Sequence, residues 1–134
     1  MHIRLALLAD AANVSREGKL NILGVFDTIF AGQYPTVHPQ MQLVLRFAAG
    51  QGDAGQPHSV DVRFETEQGQ ALFHVPVSIQ VPVHGLGDSL GVDHIISMNN
   101  VRFAEPGRYV FRIAIDGVDA LIVPLRAERV AVRH

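Results

Sequence analysis

Alternation with a period of two, not a helical period, constrains this chain most. Tyr109, Phe111, Ile113 and Ile115 occupy one phase, and Val110, Arg112 and Ala114 the other. Successive side chains of a strand point to opposite faces, so a period of two marks a half-buried β-strand. Val60, Val62 and Phe64 alternate with Asp61, Arg63 and Glu65 in the same way, and Leu43, Leu45 and Phe47 with Val44 and Arg46. Turn residues punctuate these runs: Arg16-Glu17-Gly18-Lys19, Gly50 to Gly55, Glu67-Gln68-Gly69-Gln70, Gly85 to Gly91 and Asp116-Gly117. The last is a hairpin signal, because the favoured two-residue turn needs positive φ at both central positions.

The pattern predicts about eight short strands, near 3–10, 19–30, 41–48, 58–66, 71–83, 93–103, 108–115 and 120–130. Short strands at regular spacing, with no amphipathic helix of ten residues or more, predict an all-β antiparallel β-sandwich. An immunoglobulin-like Greek key is favoured, with a jelly roll as the alternative. Pro76 and Pro82 place 71–83 on a sheet edge or a bend, and Pro124 carries the same implication for the last strand. Residues 1–134 suit one domain. An apolar fraction of 48% with 18% charged residues is that of a chain with a core, not of a disordered one.

Phe103-Ala104-Glu105-Pro106-Gly107-Arg108-Tyr109 resembles the corner of immunoglobulin-like sandwiches, where an acidic residue, a Gly and a Tyr turn the chain between sheets. The structural residues of that corner are Glu105, Gly107 and Tyr109. The chain lacks the paired Cys and core Trp of antibody domains; the plainer alternative is an ordinary Pro-Gly turn.

Function is less legible. With a formal charge of −2 and ten Arg and one Lys scattered singly, no basic patch is visible, and no nucleic-acid partner is expected. There is no Cys, so disulfides and thiolate chemistry are excluded. A cytoplasmic setting is expected, since no signal peptide opens the chain and no apolar run is long enough to span a membrane. No membrane partner and no cofactor are expected. Seven His include no His-x-His or His-Glu-x-x-His pair. His74, His84, Asp93 and His94 are the one speculative His/Asp cluster, and unliganded histidines are the simpler state. No Ser lies in a nucleophile elbow, and the Gly85–Gly91 loop has no phosphate-loop signature.

The most distinctive stretch is Leu8-Ala9-Asp10, Asn13-Val14, Gly18-Lys19-Leu20-Asn21 and Gly24-Val25-Phe26-Asp27. With His38-Pro39-Gln40 and the Glu-Pro-Gly-x-Tyr segment, it resembles a family of small bacterial proteins, a domain of unknown function. The resemblance implies an all-β domain and carries no activity. Asp10, Asn13, Asn21 and Asp27 form a speculative polar cluster, set against the simpler reading that they satisfy backbone groups at turns. The function expected is a non-enzymatic binding or assembly module acting through protein contacts, self-association included. The alternative is a jelly-roll, metal-assisted enzyme or small-molecule binder using the His/Asp cluster.

Overall fold

The computed structural model describes residues 1–83 and 89–130. Nine strands follow in order: β1 (His2–Val14), β2 (Leu20–Phe26), β3 (Thr28–Ala31), β4 (Thr36–Gly50), β5 (Pro57–Thr66), β6 (Ala71–Gln80), β7 (Ser89–Phe103), β8 (Gly107–Ile115) and β9 (Val118–Arg129). They form two sheets, β2-β1-β4-β7 and β3-β9-β8-β5-β6. The inward phases of both close on one core. Leu8, Leu43, Leu45 and Phe47 come from the first sheet, and Val62, Phe64, Phe111, Ile113 and Leu125 from the second, all essentially inaccessible to water.

Two expectations are corrected. The single strand expected at 19–30 is two strands in different sheets. The chain leaves β1 at Phe26, crosses at Asp27, and joins β9 through Thr28–Ala31. That second pairing is parallel, so the sandwich has nine strands and is not wholly antiparallel. The crossing is tied down locally: the Asp27 carbonyl accepts from the Arg126 N–H at 2.9 Å, and the Thr28 hydroxyl donates to the Asp27 carboxylate.

The prolines sit where a ladder has one open side. Pro76 lies on β6, an edge strand. Pro124 faces Val110 on β8, while β3 reaches only Arg126 to Arg129 on its other flank. Pro39 lies beyond the last β1 partner of β4, Gln42. The β4–β7 register leaves Pro39 opposite Asn100, and neither is a ladder partner. Asn100 adopts φ +55 there, a conformation Asn tolerates better than most residues.

The opening motif makes a contact across the first hairpin. Register places Asp10 opposite Gly24, which has φ +73, and a Cβ on Gly24 would come within 2.9 Å of Asp10 Cγ. Glycine is needed there twice over, for the backbone angle and for the space.

Candidate binding surfaces

Side chains at the corner build the first candidate. The Tyr109 hydroxyl donates to the Glu105 carbonyl at 2.6 Å. Its ring stacks on Phe64 at 5.4 Å and meets Phe103 edge-on at 5.1 Å. Burial pushes the Tyr109 phenol above its usual value, so it stays a neutral donor. Beside it, between edge strands β6 and β7, runs a cleft of about 620 Å³. Leu72, Phe73 and Met98 give it apolar walls; Asn99, Asn100 and Arg102 give it polar ones. The lining offers hydrogen bonds and a guanidinium but no nucleophile paired with a base. Among the described residues no group of three His, Cys, Asp or Glu is placed to hold a metal ion.

Because only Asn100 bends the backbone at this cleft, Asn100→Ile is expected to cost about 1–2 kcal/mol, while Asn100→Gly stays within about 0.5 kcal/mol of wild type. Urea unfolding of the three proteins checks this.

The other sequence candidates are dispersed. Asn13 and Asn21 meet across the β1–β2 hairpin, Nδ2 of Asn21 donating to Oδ1 of Asn13 at 2.9 Å. Asp10 covers Gly24, and Asp27 marks the crossing between sheets, so the four polar residues form three separate contacts. His74, on the five-stranded sheet, is paired with Asp61. Asp93, on the four-stranded sheet, holds Arg46 through two bonds of 2.7 and 3.1 Å. His84 lies outside the described residues. The structure does not bring His74 together with Asp93 or His94.

His94 faces inward opposite Leu45, and burial pushes its imidazole below the ordinary value. The unfolded chain therefore takes up a proton near pH 6.5 that the folded domain still refuses. Between the two values the unfolded state binds more protons, so stability rises with pH and falls on acidification. The thermal midpoint is expected to drop as pH falls below about 6.5, and His94→Leu to flatten that slope. A second loss follows at lower pH. Hydrogen bonds from His58 and the Ser59 N–H hold the Asp116 carboxyl below its usual range, and that stabilisation disappears as the carboxylate protonates.

The second candidate surface was invisible to linear reading. On the outward face of the five-stranded sheet, register sets Arg63 opposite Arg112 and Arg108 opposite Arg126. Val110 and Pro124 fill the row between these pairs. Phe30, opposite Glu128 on β3, points outward on the same face and is 63% exposed. Arg63 and Arg112 are neutralised: Asp61 lies 3.7 Å from Arg63, and Glu65 and Asp119 lie 3.1 and 3.7 Å from Arg112. Arg126 has Glu128 at 3.4 Å.

A family model matches residues 4–128, nearly the whole sandwich. The chain belongs to the family of unknown function DUF6941. The family supplies no activity, and no curated protein matches the chain. Among solved structures it is similar to the Pseudomonas fluorescens alkylpurine DNA glycosylase AlkC bound to DNA containing an abasic site analog. The match has a TM-score of 0.53 at 13% identity and covers 95% of this chain and 30% of that one. The chain thus spans less than a third of the enzyme's length, and the likeness is one of fold. It corrects the expectation that nucleic acid is excluded as a partner. That exclusion rested on arginines scattered along the sequence, and a DNA-bound enzyme contains this fold. What linear reading missed is that register sets four of those arginines on one face, three of them beside carboxylates. No helix among the described residues is long and apolar enough to cross a membrane.

Proposed function

We propose that this domain is a non-enzymatic binding module for nucleic acid, engaged through the outward face of the five-stranded sheet. The observation that carries the reading is that register sets Arg108 opposite Arg126 on that face, with an exposed Phe30 beside them. Guanidinium groups supply phosphate contacts, which position a strand and make its affinity salt-dependent. An exposed aromatic ring offers a platform on which a base stacks. The DNA-bound state of the glycosylase similar in fold supports the same partner class. The clefts support binding over catalysis, because their polar lining lacks a paired nucleophile and base. The reading takes residues 1–134 as one domain with immunoglobulin-like connectivity, which the Tyr109–Glu105 corner supports over a jelly roll. A chain without Cys suits the reducing cytoplasm.

Fluorescence anisotropy with labelled single- and double-stranded oligonucleotides tests the proposal. Binding is expected at low salt and to weaken steeply as salt rises. Arg108→Gln with Arg126→Gln should reduce the salt slope by roughly one per arginine. Phe30→Ala should weaken single-strand binding by about 1–3 kcal/mol. An absence of binding to either oligonucleotide at low salt would refute it.

A further inference from the structure

We infer that Arg108 and Arg126 form a seat for a phosphate group. The inference deepens the nucleic-acid reading and rests on it for the source of the phosphate. Register places the two residues directly opposite each other on β8 and β9. Side chains so placed have Cβ atoms about 4.5–5.5 Å apart, and like charges in that position destabilise a sheet. The neighbouring opposed pair, Arg63 and Arg112, is answered by three carboxylates. Arg126 has only Glu128, and no described carboxylate lies within 4.0 Å of Arg108.

Both residues, with Arg112, line a cleft of about 350 Å³ that also reaches Thr66, Gly69 and Tyr109. Two acids line it. Glu65 is already held by Arg112, and Glu67 stands at the β5 end, where its N–H bonds the Arg108 carbonyl at 3.1 Å. The seat therefore holds a repulsion that a tetrahedral dianion or a phosphodiester would relieve, and guanidinium geometry matches phosphate oxygens two at a time. Glu67 opposes the anion and sets an upper limit on its affinity.

Thermal unfolding at low ionic strength, in a buffer free of oxyanions, separates this seat from a merely structural pair. Millimolar inorganic phosphate should raise the wild-type midpoint by about 2–4 °C beyond chloride of matched ionic strength. Arg108→Gln should be more stable than wild type without phosphate, because the opposed charge is gone, and should lose the phosphate-specific rise. Arg63→Gln should keep that rise, and Glu67→Gln should enlarge it. The inference is overturned if Arg108→Gln is the less stable protein, if it retains the response, or if phosphate acts no differently from chloride. A labelled oligonucleotide distinguishes the sources. Phosphate binding without oligonucleotide binding keeps the seat and refutes the nucleic-acid reading. Oligonucleotide binding whose strength and salt slope are unchanged by Arg108→Gln with Arg126→Gln keeps that reading and refutes the seat.

Discussion

Truncating Phe64 to alanine is expected to destabilise the domain by about 3–5 kcal/mol, the largest loss of any substitution considered. Phe64 lies on β5, inside the five-stranded sheet, and is wholly buried. Its ring centroid is 4.6 Å from Phe111, 5.0 Å from Phe73 and 5.4 Å from Tyr109, neighbours on the same sheet. It is also 5.7 Å from Phe103, which belongs to the opposite sheet, in a near-perpendicular arrangement. Removing the ring opens a cavity that four other rings line. Such rings also interact by about 0.5–1.5 kcal/mol per pair beyond their buried area. Phe64→Leu should cost less than half as much. Urea unfolding with an unchanged denaturant slope checks both values; a loss below about 1.5 kcal/mol for the alanine protein would show that the cluster repacks.

The second large effect is expected at Gly24. Replacement by valine should cost about 2–3 kcal/mol, from an L-residue forced to φ +73 and from the Asp10 carboxylate it displaces. The steric part is separable. Asp10→Ala vacates the space, so the Gly24→Val penalty should shrink in that background while its backbone part persists. A double-mutant cycle that found the two substitutions strictly additive would remove the Asp10 contact as an explanation. The prediction rests on register, since Asp10 and Gly24 face each other across one ladder.

Strands and core phases were legible where one face of a strand is wet and the other dry, as in β5 and β8. Residues 60–64 and 109–113 alternate between buried and more exposed positions in the phase read from the sequence. The segment 19–30 misled for an identifiable reason. Asp27 resets the phase, so counting through it carries Phe30 to the wrong side; the true partner of Thr28–Ala31 is β9, about a hundred residues away. The candidate surface was illegible for a related reason. Arg108 and Arg126 are eighteen positions apart, and only the β8–β9 register makes them neighbours. Likewise, Pro39 and Asn100 read as a loop residue and a strand residue until β4 and β7 are aligned. Asn13 and Asn21, by contrast, were readable as a pair, because a short hairpin brings them together.

The parallel β3–β9 ladder also bears on synthesis. A ribosome adds about 5–20 residues per second, and Thr28–Ala31 cannot meet Arg126–Arg129 until those last residues have left the exit tunnel. The nascent chain therefore holds Phe30, Ile29 and the edge of its first hairpin unpaired for several seconds, long enough for a chaperone to find them. Completion of the second sheet thus waits for β9, and until then the quality-control machinery of the cell meets this domain as an open half-sandwich.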